Sequence, residues 1–436
     1  MTWSWRRCRK RIITERTNPA RIADRGNSNL RQATEHRMPS PSRRILMIAP
    51  TSFFLDYGCH IRILEEARAL MAQGMQVRIV TYYLGRDMPG LDIVRCAPTP
   101  WRSDYEVGSS RHKIAFDVLL SWKALWTALR WRPHLIHGHL HEGALIGKVL
   151  ATLLRVPLVF DFQGSLTGEM LDHHFLKKDS IGYYWWRRLE ERIVEMPDAI
   201  ITSTVHSAEL LNDVFKRTEH VYPLPDSVNL DFLYPTCITP EDRLARRAAL
   251  GIPAGRQVVV YLGLLADYQG VPQLLQAAAS LRAQGEAVSF LVMGFPQVEH
   301  YRHYAHTLGL TDQDVIFTGK MPYEDIPAHL ALGDVAAAPK ISATEGSGKI
   351  LNYMAMALPV VVYDTPVSRE YLNNLGLYAS PVGDADALAQ TLRAILHDPA
   401  GAAQLGVRLR ERADKHFSWS RTGRQLLRVY EKLWQR

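Results

Sequence analysis

The sequence predicts an α/β protein built from two doubly wound, Rossmann-like domains that face each other across a cleft. Three observations carry this expectation. Short β-branched runs alternate with helical stretches from Ile45 onward, a second such series begins after Gly255, and a stretch rich in proline and charge, Pro223 to Pro253, lies between them. Alternation at this spacing builds parallel βαβ units with helices on both faces of each sheet. A chain of 436 residues, 47% apolar and 22% charged, has the composition of an ordinary globular protein. Its length suits two or three domains at about 100–200 residues each.

The first series opens with Ile45-Leu-Met-Ile-Ala-Pro50, a buried strand followed by the loop Thr51 to Gly58. The next stretch places Ile61, Leu64, Ala67, Leu70 and Met71 on one helical face, and Gly74 ends it. Val77–Tyr82, Leu135–His137, Leu158–Phe160 and Ala199–Thr202 read as further strands. In the second series Val258–Leu262 leads through a loop to a helix from about Pro272 to Gln284. Ser289–Met293, Val315–Phe317, Val335–Ala338 and Val360–Tyr363 continue it. The last segment sets Leu426, Leu427, Val429, Tyr430 and Leu433 on an amphipathic helix. The expected boundaries are a basic leader over 1–43, a first domain over 44–225, a linker over 226–255 and a second domain over 256–415. A helix over 416–436 is expected to pack back toward the first domain.

Charge and cysteines narrow the function classes. Residues 1–44 hold 12 Arg/Lys and 3 Asp/Glu, and the remainder 40 and 41, so the net +8 belongs to the leader and the body is close to neutral. A nucleic-acid footprint is not expected on such a body. The leader has no apolar core of a secretory signal; it reads as a disordered basic arm, or as an upstream extension of a gene that starts at Met38. The four cysteines are scattered without a Cys-x-x-Cys pair, which fits a reducing cytoplasm. The longest apolar run, Val258 to Ala266, contains a glycine and falls short of the roughly 18–20 residues that span a bilayer.

In doubly wound sheets ligands bind outside the carboxyl ends of the strands. Neither first strand is followed by Gly-x-Gly-x-x-Gly, which argues against a dinucleotide-dependent oxidoreductase. The most informative segment runs from Ala338 to Pro359. A strand ends at Pro339, the loop holds Glu345, Gly346, Ser347 and Gly348, and a helix follows from about Lys349 to Ala357. A glycine-rich turn feeding a helix N-terminus offers unpaired N–H groups and the positive end of a dipole to an anion. Lys340 and Lys349 add full charges, and Asn352 lies one turn beyond Lys349. This chemistry suits a diphosphate with a polyhydroxyl group, Glu345 accepting from sugar hydroxyls.

With Thr318 to Pro327, Pro197 to Ser203, Asp364 to Tyr371 and Phe417-Ser-Trp419, this segment resembles retaining glycosyltransferases of the GT-B type, in particular glycosyltransferase family 4, over nearly all of Ile45 to Trp434. In that family two glutamates eight apart hold the donor sugar and the ribose. Asn352 takes the second place, and the first falls at Thr344 with Glu345 beside it. The family's Arg and Lys clamp in the second domain's first loop reads Leu264 and Gln269 here. The resemblance therefore assigns the diphosphate to Lys340, Lys349 and the Gly346–Gly348 amides, with Gly263 and Asn352 completing the donor site.

Tyr57-Gly58-Cys59-His60 resembles the family's glycine-rich loop near the donor phosphate or acceptor, which brings in Gly58 and His60. Asp161-Phe-Gln-Gly-Ser165 follows a strand where the family often carries a histidine touching the donor sugar, and Gln163 sits beside that place. Glu345, Lys349 and Gln163 are the expected catalytic residues. The implied activity moves a hexose-type sugar from a nucleotide-diphosphate sugar to an acceptor hydroxyl of a glycan, lipid-linked or small molecule, with retention and without metal. No cofactor is implied beyond that co-substrate. A sugar-nucleotide epimerase of the same architecture and a non-catalytic sugar-nucleotide-binding relative stay open.

Some patterns read as decoys. His137-Gly-His139-Leu-His141 lacks an evident carboxylate pair, and Gly138 is expected to end its strand, so His137 or His139 reads as a cleft-lining polar residue rather than a metal ligand. Asp384-Ala-Asp386 reads as a helix N-cap and Asp312-Gln-Asp314 as loop. His173 to Arg188 mixes cations with large aromatics. It reads either as a packed helix or as peripheral contact with the inner face of a membrane.

Overall fold

A computed structural model describes residues 42–55, 58–98, 113–172, 175–342 and 346–436. The leader to residue 41, Tyr57, His173, Thr344 and Glu345 lie outside the described residues. The first sheet comprises β1 (Arg44–Ala49), β2 (Gln76–Thr81), β3 (Asp92–Arg95), β4 (Leu135–His139), β5 (Leu158–Phe162), β6 (Ala199–Thr202) and β7 (Val221–Pro223). The second comprises β8 (Gln257–Leu262), β9 (Val288–Met293), β10 (Val315–Phe317), β11 (Val335–Ala338), β12 (Val360–Tyr363) and β13 (Leu377–Ala379). Their orders, β3-β2-β1-β4-β5-β6-β7 and β10-β9-β8-β11-β12-β13, are the same doubly wound pattern. Every pairing is parallel. Strand order reverses between β1 and β4 and again between β8 and β11. Those two switch points open the crevices where ligands bind in such sheets.

Central strands are buried on both faces and read as near-continuous apolar runs, so the sequence reveals them. β3, β7 and β13 are edge strands with mostly half-buried or exposed residues. Their apolar signal is correspondingly weak, and the periodicity missed all three. β4 also runs on through Gly138 to His139, so Gly138 does not end it. The Gly138 Cα instead lies against the Gly143 carbonyl, where a Cβ would approach to 2.5 Å.

The stretch between the sheets is not bare linker. Helix Pro240–Ala249 begins under a Thr239 N-cap, and its Arg243 and Arg247 pair with Asp334 at 2.7 and 2.8 Å, just before β11. The last helix, Trp419–Trp434, lies on helix Gly58–Met71. There a Cβ at Gly423 would come within 2.6 Å of Ala69 Cβ. Tyr430 Oη meets His137 Nδ1 at 2.6 Å, and Trp434 Nε1 donates to the His134 carbonyl at 3.0 Å. One continuous apolar core runs from Ile45 and Met47 through Leu224 and Val228 to Val258, Met354 and Leu426, so both sheets and the last helix share it.

Candidate active site

The two sets of strand ends face a cleft of about 390 Å³. Gly58, Arg62, His141 and Gln163 line it from the first domain, Asp226 and Ser227 from the connecting chain, and Trp419 from the last helix. Gly263, Gln269, Gly346, Ser347, Gly348, Lys349 and Asn352 line it from the second domain. Of the donor-side residues expected from sequence, Gly263, Gly346, Ser347, Gly348, Lys349 and Asn352 thus converge, Lys340 does not line the cleft, and Glu345 lies outside the described residues.

Lys349 is the cation of that wall. Helix Gly348–Ala355 begins one residue before it, and its side chain crosses the cleft floor to the end of β8. Nζ donates to Gln269 Oε1 at 2.9 Å and to Tyr261 Oη at 3.1 Å, and sits 4.2 Å from the centre of the Tyr261 ring. It passes so close to Gly263 that a Cβ there would lie 2.6 Å from Nζ, which is why this position has no side chain. Burial, with Lys340 nearby, pulls the Lys349 ammonium down to about 7. Among the described residues the hydrogen-bond partners of Nζ, Gln269 and Tyr261, are both neutral. An ammonium held this way favours an incoming anion.

Lys340 stands differently. It is buried behind the loop, does not line the cleft, and donates to the Gly346 carbonyl at 3.3 Å. The connecting chain approaches the same turn closely: a Cβ on Gly346 would meet Asp226 Oδ2 at 2.8 Å. Ser347 is buried in the cleft wall, its Oγ without a hydrogen-bond partner among the described residues, while Gly348 is exposed. Asn352 follows on the cleft-lining side of the helix.

The first-domain wall rests on a buried ionic network centred on Arg62. Its Nε lies 3.0 and 3.1 Å from the two Asp161 oxygens and 3.1 Å from Glu66 Oε1, while NH1 reaches Asp226 Oδ1 at 2.9 Å and the Leu224 carbonyl at 3.2 Å. Asp161 also accepts from Gln163 Nε2 at 2.7 Å and His139 Nδ1–H at 3.0 Å. Burial alone would raise the Asp161 carboxyl; Arg62 and His139 overcome it and hold the group below the ordinary carboxylate range. Burial pushes Glu66 well up against the pull of Arg62, with Asp161 and Asp226 adding to the rise. Asp161, Glu66 and His139 therefore lie beneath the site, while Arg62, Gln163 and Asp226 line the cleft.

Two sequence expectations are corrected here. His60 does not face an acceptor. It is fully buried, Leu55 N–H donates to its Nδ1 at 2.9 Å, and its Nε2 meets Thr51 Oγ1 at 2.5 Å. Burial and Lys320 push it down to about 3, so the ring is neutral and serves to pin the loop after β1. The histidine pair also has carboxylate neighbours after all: Glu66 and Asp161 come together with His137 and His139, potential ligand atoms lying within 4.8 Å of one another. The cation those carboxylates engage is Arg62. His139 stacks on His137 at 4.3 Å, and His141, on the following helix, turns toward Glu190 at 3.5 Å. Asp384 does cap its helix, accepting from Asp386 and Ala387 N–H. Arg62, Glu66, Asp226 and Tyr261 were missed. The one available signal was an Arg–Glu pair four apart on the otherwise apolar face of the first helix.

The family description "Glycosyl transferase 4-like domain" matches residues 57–225, and "Glycosyl transferases group 1" matches residues 242–416. Between them these descriptions span both domains. The chain belongs to the group 1 glycosyltransferases of GT-B fold. The 2-deoxystreptamine glucosyltransferase of Streptomyces kanamyceticus is 28% identical over 78% of this chain and 90% of its own length. The D-inositol 3-phosphate glycosyltransferase of Corynebacterium diphtheriae is 24% identical over 86% and 89%. Sucrose-phosphate synthase from Thermosynechococcus elongatus shares the fold with a TM-score of 0.76 at 20% identity, covering 90% of this chain and 99% of that one. Anabaena Alr3699/HepE, in complex with UDP and glucose, gives 0.71 at 16%, covering 89% and 100%.

In this glycosyltransferase the domains are drawn together across the cleft. Arg86, after β2, pairs with Glu324 of the second domain at 2.9 Å, and the Phe54 and Tyr323 rings meet at 5.6 Å. Glu370 of the second domain accepts from Val205 and His206 N–H at 2.9 to 3.5 Å, capping the helix Val205–Asp213 of the first. Among the described residues no helix is long and apolar enough to cross a membrane.

Proposed function

We propose that this glycosyltransferase takes its sugar, of hexose type, from a nucleotide-diphosphate sugar and passes it with retention, and without a metal ion, to a hydroxyl of a glycan, lipid-linked or small acceptor. The observation that carries the reading is the Lys349 ammonium at the Gln269 side chain. The family's usual clamp lysine is replaced by Gln269, and a lysine from the helix after β11 delivers its charge to that same spot. Anabaena Alr3699/HepE, of like fold, holds UDP and glucose, which supports the donor class.

The donor lies across the second domain's strand ends. Lys349 and the Gly346–Gly348 amides balance the diphosphate, with Lys340 reinforcing them from beneath the turn. Asn352 bonds a ribose hydroxyl and Glu345 orients the sugar. Gln163, its amide held by Asp161, presents its free carbonyl oxygen toward the sugar from the opposite wall. The acceptor oxygen, arriving past Gly58, bonds to the anomeric carbon on the face from which the diphosphate leaves. The anomeric carbon–phosphate oxygen bond breaks, and the acceptor proton passes to the departing diphosphate. The contacts that draw the domains together exclude water, whose attack on the donor is the competing reaction.

A thermal-shift panel of nucleotide sugars identifies the donor as the one that stabilises the protein, and product analysis with that donor follows. Lys349→Ala is expected to lose about 10²-fold or more in turnover, the scale of removing one charge-stabilising donor. Conversion of donor without any acceptor would instead favour the epimerase reading.

A further inference from the structure

The first domain leaves an apolar flank uncovered on the sheet face opposite helix Gly58–Met71. Helix Lys113–Trp131 is apolar on two opposite sides. Phe116, Leu120, Ala124 and Ala128 are buried with Leu46, Ile48, Val80 and Ile136 of the sheet. Val118, Trp122, Trp126 and Leu129 point outward, and Trp122 is 71% exposed. A helix facing water ordinarily turns a polar side outward. The two helices beside it continue the pattern: Leu140–Leu154 exposes Val149 and Leu153, and Ile181–Glu195 exposes Ile181, Tyr184 and Trp185, with Ile181 91% exposed. The three pack side by side, the middle one touching both others. Isolated exposed apolar residues are ordinary, whereas a contiguous set on three adjacent helices marks a surface that meets something.

The charges around the flank say what it meets. Lys123 and Arg130 lie over the Trp126 ring at 5.3 and 3.7 Å. Exposed Arg130, Arg132 and Arg155 gather at the C-terminal ends of the first two helices, and exposed Lys177, Lys178 and Arg188 border the third. The acids of these helices are largely turned elsewhere: Asp117 accepts from Tyr82, Glu142 lines the cleft, Glu190 is buried, and Glu191 pairs with Arg187 and Arg188.

We infer that this three-helix flank docks on an anionic lipid bilayer surface. Its indole and aliphatic side chains enter the headgroup boundary, and its Lys and Arg side chains engage the lipid phosphates. The cation-rich aromatic stretch that the sequence singled out supplies one side of this surface; Trp122, Trp126 and Leu129 supply the other, with Val149 and Leu153 on the helix between them. Helix Leu140–Leu154 starts in the cleft wall at Leu140 and His141, so the docked surface lies within one helix length, about 22 Å, of the cleft. The inference is independent of the donor chemistry and stands or falls without it.

Flotation of the full chain with vesicles of phosphatidylcholine alone, or of phosphatidylcholine with one third phosphatidylglycerol, tests it. The chain is expected to float with the anionic vesicles at physiological salt, its tryptophan emission shifting to the blue. The triple variant Trp122→Glu, Leu129→Glu, Trp185→Glu, melting at the same temperature, should bind at least about tenfold more weakly. Absence of binding overturns the inference. So does equal binding by the variant, which would assign the effect to the basic leader. A dimer that the triple variant splits, with no vesicle binding, would make the flank an interface between two copies instead.

Discussion

The two walls of the cleft handle charge in opposite ways. On the first-domain side Arg62 is surrounded by Asp161, Asp226 and Glu66, and its charge is spent within the protein. On the second-domain side half-buried Lys349 lies among a glutamine, a phenol and a glycine, its partners among the described residues being neutral. The first arrangement holds structure: Arg62 joins the first helix, β5 and the chain leaving β7. The second suits a ligand, because a partly buried cation with no carboxylate partner among the described residues is stabilised by an incoming anion. A charged residue near a cleft is therefore read by its neighbours, and it is Lys349, not the dense cluster, to which the proposed function assigns the donor phosphates.

The contrast is broken most severely at Arg62. Arg62→Leu strands three buried or half-buried carboxylates, and losing one partner of a buried ion pair costs about 3–5 kcal/mol. Denaturant unfolding should show that loss, with the melting temperature falling by many degrees. A melting temperature within about 2 °C of the parent would contradict the structural role.

A smaller effect of opposite sign is expected on the other wall. The Lys349 ammonium titrates near 7 when folded against about 10.4 in an unfolded chain. The unfolded state thus binds more protons between those values, so stability rises with pH across that window. The penalty of burying the charge is complete below about pH 7 and gone above about pH 10. Lys349→Met should accordingly raise the melting temperature of the ligand-free protein by at least about 2 °C at pH 6, the gain shrinking toward pH 10. A gain that does not change with pH would mean that the ammonium is not buried uncompensated.

Much of this was legible in the sequence, and the reasons for the rest are physical. Nine central strands announced themselves by near-continuous apolar runs, and the edge strand β10 by its all-apolar Val-Ile-Phe, while the edge strands β3, β7 and β13 were too short and too exposed to do so. Lys349 and the Gly346–Gly348 turn could be placed at the cleft because strand ends and helix starts follow from local pattern. The partnership of Lys349 with Gln269 and Tyr261 could not, since 80 and 88 residues separate them along the chain. The same holds for Arg62 with Asp161 and Asp226, 99 and 164 residues away. His60 misled because a histidine beside a loop glycine looks ligand-facing until the backbone N–H of Leu55 claims its ring.

Moving the charge tests the assignment of Lys349 most directly. Lys349→Gln alone should lose about 10²-fold in kcat/KM for the donor identified by the panel. Adding Gln269→Lys, which puts an ammonium on the side chain that Lys349 Nζ meets at 2.9 Å, should restore a substantial part of it. Unchanged kinetics for a folded Lys349→Gln protein would show that the diphosphate finds its positive charge elsewhere.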